Sequence, residues 1–326
     1  MKLQILVPQY RETEEIIKPL LDSIALQQAV DMKEIGAVIC NDGSGVHLSE
    51  AFLNGYPFRI EYHREPHRGV SATRNACLDY ATADYVMFCD ADDMFCNACG
   101  LWILFREMEA GFDSLVSLFI EETRDPATGR VAYVNHEADS TFVHGKVHRR
   151  QYLIDQHIRF NDALTVHEDS YFNILCRHLG RNVKYCPTPF YLWKWRDDSV
   201  CRHDPKYILK TYRNMLDSND ALVDEFLSRG MPDKAAYFTA FMIFDAYYTM
   251  NKPEWTDQEN QAYRKETEQR FAAWFRKHED AWEHIPPGDR MMISSQVRSR
   301  SVLEGMRMEA ITIDAWLKHI RGIHNS

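Results

Sequence analysis

The sequence predicts an α/β fold, with a mostly parallel sheet flanked by helices and a helical module after it. Over the first 120 residues, short apolar runs alternate with segments of helical periodicity, as in strand–helix–strand units with right-handed crossovers. Polar residues directly follow three of the predicted strands. From about Pro205 only helical patterns remain, so we expect two domains, residues 1–203 and residues 204–326.

The individual elements follow from the period of the apolar residues. Alternating or continuous apolar runs predict strands, whereas apolar residues at i, i+3 and i+4 predict helices. Strands are expected at residues 2–7, 35–40, 58–63, 85–89 and 114–120, with helices at residues 14–28, 70–81 and 99–110.

Beyond residue 120 the pattern changes. The turn-forming segment at residues 125–129 predicts a hairpin over residues 123–134. Short helices are expected at residues 152–157 and 169–179, short strands at residues 183–186 and 191–195, and longer helices, punctuated by prolines, at residues 207–228, 233–250, 257–277 and 302–320.

The composition is that of a globular protein, with 326 residues, 45% hydrophobic and 26% charged. The formal net charge of -10 argues against a general attraction to nucleic acid or an anionic membrane. It leaves a local basic patch open at residues 144–150, which we interpret as a solvated face or an acceptor-site wall. The longest apolar stretch, residues 238–248, is too short to span a membrane. We therefore expect a cytoplasmic protein, peripheral to a membrane only through a partner.

The polar clusters converge on one edge of the predicted sheet. Residues 9–12 follow the first strand, Asn41 and Asp42 follow the second, and residues 90–93 follow the fourth. Ligands of parallel sheets bind beyond the carboxyl ends of the strands. The sequence therefore predicts a binding crevice at this edge.

The segment Asp90-Ala91-Asp92-Asp93 carries the candidate metal ligands. Clustered carboxylates repel one another, and a hard divalent cation such as Mg²⁺ or Mn²⁺ relieves that repulsion while bridging to a diphosphate. The alternative is a solvated acidic loop that caps the next helix, and the position at a strand end favours the metal site.

Two segments at the same edge have both a binding and a structural interpretation. The Asp42 carboxylate can accept from a nucleobase N–H or from the backbone of its own turn. Residues 68–75 open a helix whose N-terminus favours anions, so that Arg68 or Arg74 can reach a phosphate. The alternative is that these arginines pair with the carboxylates at residues 90–93.

The remaining candidates lie between residues 167 and 203. Glu168 and Asp169 precede a helix, and Asp169 either caps it or acts as a general base toward an acceptor hydroxyl. Arg196 and Ser199 can clamp a diphosphate leaving group. His203 is a candidate metal ligand, with a structural role as the alternative.

Taken in order, these motifs resemble glycosyltransferase family 2, whose members invert the anomeric carbon and have a glycosyltransferase A fold. Asn41 replaces the first Asp of the family's D-D-G-S turn, and Lys194 departs from its Y-x-Y-R-x-R-x-x-S-I segment. The resemblance covers residues 1–203 through seven motifs: Val7-Pro8-Gln9-Tyr10, Asn41-Asp42-Gly43-Ser44, residues 68–75, residues 90–93, residues 145–150, Glu168-Asp169 and residues 191–200.

The resemblance implies a nucleotide-sugar donor, with uridine the commonest base, and a Mn²⁺ or Mg²⁺ cofactor. Asp169 would be the catalytic base next to Glu168, and Asp92 and Asp90 would bind the metal. The donor-binding residues implied or suggested by position are Pro8, Tyr10, Glu12, Asp42, Arg68, Arg74, Asp90, Ala91, Arg196 and Ser199.

Other functions remain as alternatives. A nucleotidyltransferase commonly has a glycine- and lysine-rich loop near its start, which is missing, and a non-catalytic nucleotide-sugar-binding module would not need Asp169. A dinucleotide-dependent oxidoreductase needs a G-x-G-x-x-G after the first strand, which is absent. The acceptor is open among glycans, teichoic-type polymers, protein and modified DNA bases. The helical module can bind acceptor, form a homo-oligomer or dock on a partner.

Overall fold

The computed structural model describes residues 1–125, 127–137, 141–197, 206–252, 255, 257–303 and 312–323. The chain divides into two compact units, Met1–Ser199 and Val200–Ser326. The domain boundary predicted at residue 203 falls outside the described residues, as do Ser199 and His203.

The first unit alternates strands and helices, as predicted from the periodicity. Its elements in chain order are β1 (Leu3–Gln9), α1 (Glu14–Ala25), β2 (Ile35–Asp42), α2 (Glu50–Leu53), β3 (Arg59–Glu65), α3 (Val70–Tyr80), β4 (Tyr85–Phe88), β5 (Met94–Phe95), α4 (Gly100–Glu109), β6 (Ser114–Arg124), β7 (Val131–His136), β8 (Lys146–Arg149), α5 (Arg150–Asp155), α6 (Glu168–Leu179) and β9 (Val183–Trp193).

One nine-stranded sheet organises this unit, in the order β3-β2-β1-β4-β8-β6-β9-β5, with β7 paired to β6. The four strands from β3 to β4 are parallel, which confirms the prediction for the first 90 residues. Every residue of β2 is buried, as expected of a central parallel strand with helices on both faces. Because β1 and β2 pair in register from Leu3 with Ile35 to Gln9 with Asn41, their carboxyl ends lie side by side.

The other half of the sheet is mixed rather than parallel. Strand β8 lies between β4 and β6 and is antiparallel to both, while β6 and β9 are parallel. The segment at residues 144–150 is therefore not the solvated face that its charges suggested. Lys146 is 3% exposed and His148 is 1% exposed because the centre of the sheet buries them. Burial also lowers the pKa of His148 to about 3, so this imidazole is neutral.

Two further predictions about the first unit have different outcomes. The hairpin is present, since β6 and β7 pair from Phe119–His136 to Arg124–Val131. The two strands predicted at residues 183–186 and 191–195 are instead one strand, β9, with an irregularity opposite Ser117 and Phe119. Pro187 and Pro189 lie in the middle of β9. Proline has no N–H to donate, so the two residues interrupt the backbone hydrogen bonding locally, but the strand continues beyond them.

The second unit is helical and has its own core. It contains α7 (Tyr207–Ser228), α8 (Pro232–Met250), α9 (Gln261–His284), α10 (Pro287–Leu303) and α11 (Ile313–Arg321). Large buried side chains hold the helices together, among them Trp255, Phe271, Phe275 and Trp316. Within the described part of the chain, we find no helix with the length and apolar character needed to cross a membrane.

The prediction of one helix at residues 302–320 is wrong. Helix α10 begins at Pro287, because proline fits the first turn of a helix, where its missing N–H costs nothing. Helix α11 begins separately after Thr312, whose Oγ accepts a hydrogen bond from the Ala315 N–H at 3.2 Å. Such an N-cap marks a new helix start within the predicted range.

Candidate active site

The carboxyl ends of β1 and β2 are joined by one buried amide. Asn41 Nδ2 lies within hydrogen-bond distance of Gln9 Oε1 at 3.0 Å and of Ser44 Oγ at 2.9 Å, and Asn41 Oδ1 accepts from the Ser44 N–H. Asn41 therefore closes the turn after β2 and ties it to the end of β1. An amide serves this role because it both donates and accepts, which a carboxylate cannot do.

The Asp42 carboxylate is 5% exposed and anchors the loop before α3. Its two oxygens accept from the Arg68 N–H at 2.7 Å and the Gly69 N–H at 3.0 Å, and His67 Nδ1 lies 2.9 Å from Oδ2. Asp42 therefore accepts hydrogen bonds from backbone N–H groups, as one of its two interpretations predicted. These groups belong to the 67–69 loop and not to the turn of Asp42 itself. Arg68 takes part through its backbone, and its side chain is exposed. A nucleobase contact of Asp42 stays a prediction.

An aromatic surface lies beside this carboxylate. The Tyr10 ring, 37% exposed, stacks on the His67 ring with a centroid distance of 4.8 Å. The Arg11 guanidinium lies 4.9 Å from the centroid of the same Tyr10 ring. Glu12 Oε2 accepts from the Tyr10 N–H at 2.8 Å and so holds the turn after β1.

Arg74 lies on α3 and bridges two acidic segments. It is 5% exposed, and it donates from Nη1 to Glu168 Oε1 at 2.8 Å and from Nη2 to Asp90 Oδ1 at 3.0 Å. The structural interpretation of Arg74, pairing with carboxylates, is therefore the one observed. Ser71 does not face an anion either, since its hydroxyl is buried and donates to the Leu164 carbonyl at 3.1 Å.

The carboxylates after β4 have separate partners. Asp93 is 1% exposed; its Oδ2 accepts from the Tyr191 hydroxyl at 2.5 Å and its Oδ1 from the Lys194 N–H at 2.9 Å. Burial, followed by the charges of Asp92 and Asp90, raises the pKa of Asp93 well above its usual value. Burial opposes ionisation of Asp90 as well, but the Arg74 guanidinium and His144 hold the pKa of that carboxyl below its usual value.

His144 completes this cluster, and sequence reasoning missed it. Its Nε2 lies 3.6 Å from Asp90 Oδ2 and 3.9 Å from Asp93 Oδ2. Asp90, Asp93 and His144 each direct one potential ligand atom into a group whose members lie within 4.8 Å of one another. The only sequence signal was a histidine next to Gly145 in a segment interpreted as a basic face.

Aromatic rings fix the orientation of His144, which is 4% exposed. Its imidazole stacks on Tyr191 at 4.6 Å and on Phe142 at 5.4 Å between ring centroids. Burial lowers the pKa of His144, so the ring is neutral and one nitrogen keeps a lone pair for a metal. Two carboxylates and a neutral imidazole form a donor set that suits a divalent cation such as Mn²⁺.

Asp92 lies outside that cluster. Its Oδ2 accepts from Arg196 Nη1 at 3.0 Å, and the same Nη1 lies 3.6 Å from Glu12 Oε1. Burial and the Asp90 charge raise the pKa of Asp92. The structure thus brings Glu12, Asp92 and Arg196 together, while Ala91 is buried at 2% exposure. A direct role of Asp92 in metal binding remains a prediction.

Asp169 lies in the first turn of α6. The preceding residue, His167, has a φ of 63° and leads the chain sharply into the helix. Asp169 Oδ1 accepts from the Ser170 N–H at 2.8 Å. Burial and the neighbouring Glu168 charge raise the pKa of Asp169 to about 7, against the opposing effect of Arg74. A carboxylate with a pKa near neutrality is a suitable general base.

Comparison with known sequences supports the resemblance to glycosyltransferases. Residues 4–177, more than half of the chain, match Glycosyl transferase family 2. EpsH of Bacillus subtilis (strain 168), named as a glycosyltransferase, is 22% identical over 245 residues, which are 68% of this chain and 69% of that protein. The glycosyltransferase GlyA of Streptococcus pneumoniae serotype 4 is 35% identical over 94 residues, 28% of this chain and 13% of that protein.

Comparison with solved structures supports the expected glycosyltransferase A fold. The S. aureus TarS 1-349 complex with UDP-GlcNAc has a TM-score of 0.63 and 18% identity, covering 97% of this chain and 95% of that chain. The mannosyltransferase PcManGT from Pyrobaculum calidifontis, in complex with GDP-Man and Mn²⁺, has a TM-score of 0.52 and 13% identity, covering 93% of this chain and 84% of that chain.

Proposed function

The chain belongs to glycosyltransferase family 2, and from that premise we propose that it transfers a sugar from a UDP-sugar to an acceptor hydroxyl with inversion at the anomeric carbon. The observation that carries this proposal is the bridge formed by Arg74. One buried guanidinium contacts Asp90 of the acidic cluster and Glu168 beside the candidate base. Because one guanidinium contacts both segments, the bridge supports a shared site in which donor and acceptor would bind close together.

The donor would bind along the carboxyl ends of β1 and β2. The exposed Tyr10 ring, stacked on His67, offers a face for the base next to Pro8 and Asp42. TarS has been crystallised with UDP and with UDP-GlcNAc, which favours uridine as the nucleoside. The GDP-Man complex of PcManGT keeps guanosine as the alternative to test.

A divalent cation would be held by Asp90, Asp93 and His144, whose ligand atoms already face one another. When bound, Mn²⁺ or Mg²⁺ supplies positive charge that stabilises the departing diphosphate. Arg196 supplies a second cation, since Asp92 and Glu12 hold its guanidinium in place at the same sheet edge. We propose Asp90, Asp93 and His144 as the metal ligands, in place of the set Asp90, Asp92 and His203 predicted from the sequence.

Asp169 would act as the base. Its carboxylate would take the proton from the acceptor hydroxyl while that oxygen attacks the anomeric carbon, and the C–O bond to the nucleotide diphosphate would break on the opposite face. Glu168 supports this role, since its charge raises the pKa of Asp169 and its side chain is held by Arg74. The acceptor would be a glycan, a polymer or another hydroxyl compound, and the helical unit would contribute acceptor binding or self-association.

A donor panel tests the proposed function. The protein is incubated with UDP-, GDP- and ADP-linked sugars in the presence of Mn²⁺, and the released nucleotide is identified by chromatography. We expect slow release of UDP from at least one UDP-sugar. Release of monophosphate or pyrophosphate would instead support a nucleotidyltransferase, and binding without turnover, even with a panel of hydroxyl acceptors, would support a binding module.

A further inference from the structure

One face of the sheet extends outward from the acidic cluster across β6, β7 and β9. The register pairs residues 119 and 121 of β6 with residues 136 and 134 of β7, and with residues 191 and 193 of β9. Side chains alternate between the two faces along a strand, and residues paired across strands share a face. We call this surface the β6–β7–β9 face; it is formed by Phe119, Glu121, Val134, His136, Tyr191 and Trp193.

The inner end of the β6–β7–β9 face contacts the proposed metal ligands. The Tyr191 hydroxyl donates to Asp93 Oδ2, and the Tyr191 ring stacks on His144 with a centroid distance of 4.6 Å. The Trp193 ring, two residues further along β9, lies 5.2 Å from His144 between centroids. A molecule that packs against Trp193 would therefore lie next to the cation and the diphosphate of the proposed reaction.

Phe142 connects this face to the helix that carries the candidate base. Its ring lies 5.4 Å from the Trp193 ring between centroids and stacks on His144. Its carbonyl accepts a hydrogen bond from Asn173 Nδ2 at 2.8 Å. Asn173 follows Asp169 by four residues on α6, so the two side chains lie on the same side of that helix. The pair of rings thus contacts both the acidic cluster and the helix of Asp169, where the acceptor hydroxyl must react.

Side chains of the β6–β7–β9 face reach solvent outside the acidic cluster. Trp193 and Phe142 are half-buried. The side chains of Glu121 and His136 are 17% and 30% exposed, and Val134 is exposed. Aromatic rings with nearby polar groups are typical of ligand sites, because the rings bury the apolar part of a ligand and the polar groups orient it. A pyranose ring has such an apolar face and a rim of hydroxyls.

Glu121 and His136 supply the polar groups. His136 Nε2 lies 2.7 Å from Glu121 Oε2, and the His136 ring stacks on Phe119 at 4.6 Å between centroids, which fixes the orientation of the pair. A carboxylate has about four lone-pair sites, so Glu121 can accept from sugar hydroxyls in addition to His136. The same negative charge would repel a phosphate group. These features favour a neutral sugar over a phosphate-bearing acceptor.

We propose that the β6–β7–β9 face, together with Phe142, binds the acceptor as a neutral pyranose ring of a glycan. The ring would pack against Trp193 and Phe142 and donate hydroxyl hydrogen bonds to Glu121. This inference rests on the proposed function, since it names the acceptor of that transfer. It selects a carbohydrate from among the hydroxyl acceptors that the proposed function leaves open.

The test uses the full chain labelled with 5-fluorotryptophan, observed by ¹⁹F NMR with and without UDP and Mn²⁺. Trp193→Phe identifies the Trp193 resonance, and Trp102→Phe, at an exposed residue of α4, identifies a reference resonance. The probes are the methyl glycosides of glucose, galactose, N-acetylglucosamine and N-acetylgalactosamine, with ribitol 5-phosphate and glucose 6-phosphate for comparison. We expect at least one neutral glycoside to shift the Trp193 resonance saturably and to leave the Trp102 resonance unchanged.

Two adjacent glutamates provide a matched pair of variants. Glu121→Gln should weaken that glycoside by about tenfold, because a charge-assisted hydrogen bond becomes a neutral one. It should also reduce the preference for the glycoside over glucose 6-phosphate, which a purely structural role of Glu121 would not change. Glu122→Gln is the control, since Glu122 is the next residue of β6 and points to the opposite face. Its glycoside affinity should equal that of the wild type.

The wild-type titration can overturn the proposal even if Glu121→Gln, whose ligand-free ¹⁹F spectrum reports its folding, proves unstable. The contradicting results are no saturable Trp193 shift with any glycoside in either condition, or tighter binding of a phosphate probe than of every glycoside. With both variants folded, equal glycoside affinities in Glu121→Gln and Glu122→Gln would also contradict it. Glycoside binding is measured without turnover, whereas the donor panel measures nucleotide release, so failure of one is distinguishable from failure of the other.

Discussion

Arg74 Nη1 donates a hydrogen bond to Glu168 Oε1 at 2.8 Å, across 94 positions of sequence. The Arg74 side chain is buried and that of Glu168 is mostly buried, with exposures of 6% and 12%. The bond connects α3, which is packed under the parallel strands, to the first turn of α6, which carries the candidate base. The Arg74 guanidinium therefore links the helical turn that carries Asp169 to the acidic cluster.

Replacing Arg74 with methionine should destabilise the protein. The variant leaves Asp90 and Glu168 without their shared partner, and removing one member of a buried ion pair costs about 3–5 kcal/mol. Urea unfolding measures the change. Arg159→Met is the matched control, because Arg159 pairs at the surface with Asp79, which lies on α3 as Arg74 does. Loss of this surface pair should cost no more than about 1 kcal/mol. Equal losses of unfolding free energy in the two variants would mean that the Arg74 bridge stabilises the protein no more than a surface ion pair does.

Asp169→Asn should abolish transfer while leaving donor binding intact. The amide keeps the shape of the side chain but cannot take a proton, so we expect kcat to fall by about 10²–10⁴-fold. UDP-sugar affinity, measured by calorimetry, should change less than twofold. Asp155→Asn, at an exposed position on α5, serves as the control. A variant that retains a tenth of the wild-type rate would remove Asp169 as the base.

The rate should rise with pH through about 7. Burial and the Glu168 charge raise the pKa of Asp169 to about 7, and a base must be deprotonated to act. We expect kcat/KM to increase about tenfold per pH unit below that value and to level off above it. In Glu168→Gln, loss of the neighbouring charge should move the inflection to lower pH. A flat profile between pH 5 and pH 9 would contradict the assignment.

The same titration predicts a stability change with the opposite trend. The folded pKa of Asp169 lies above its unfolded value, so its contribution is complete at low pH and is lost as pH rises through about 7. The free energy of unfolding of Asp169→Asn should therefore gain on that of the wild type between pH 5 and pH 8. Urea titrations at the two pH values measure this difference; parallel behaviour of both proteins would argue that the pKa is not raised.

His144 separates the two possible metal sets. If Asp90, Asp93 and His144 hold the cation, His144→Ala should raise the Mn²⁺ concentration for half-maximal activity by about tenfold or more. Manganese binding in the absence of donor, followed by electron paramagnetic resonance, should weaken in parallel. His47→Ala, at an exposed residue, should have no effect. Weaker binding in Asp92→Ala than in His144→Ala would restore Asp92 as the principal ligand.

A substitution at Gly43 tests whether the 67–69 loop, which Asp42 anchors, contributes to nucleotide binding. Its φ of +66° favours glycine, and an added Cβ would lie 2.5 Å from the His67 backbone nitrogen. Gly43→Ala should therefore displace the 67–69 loop and the Tyr10–His67 stack, and weaken UDP binding by about tenfold, or about 1.4 kcal/mol. At Gly45 an added Cβ meets no atom within 4 Å, so Gly45→Ala should bind UDP normally. Calorimetry measures the UDP affinity of both variants. Equal affinities would mean that the 67–69 loop does not contribute to the nucleotide site.

The sequence by itself determined the elements whose signals are local. Apolar periodicity predicted the parallel strands β1 to β4, and the polar residues after β1, β2 and β4 were correctly placed at one edge because parallel strands end on the same side. The order of short motifs was enough to identify the family resemblance, since each motif is a continuous stretch of chain.

Only the tertiary structure decided which side chains meet. His144 joins Asp90 and Asp93 because β8 inserts between β4 and β6, and Asp92 turns instead to Arg196, 104 residues away. These pairings depend on the mixed half of the sheet, where the four-residue strand β8 and its buried charges have no period that marks them in the sequence. A contact between distant residues is set by the summed packing of the whole unit, so local pattern predicts where functional groups gather and not which of them are partners.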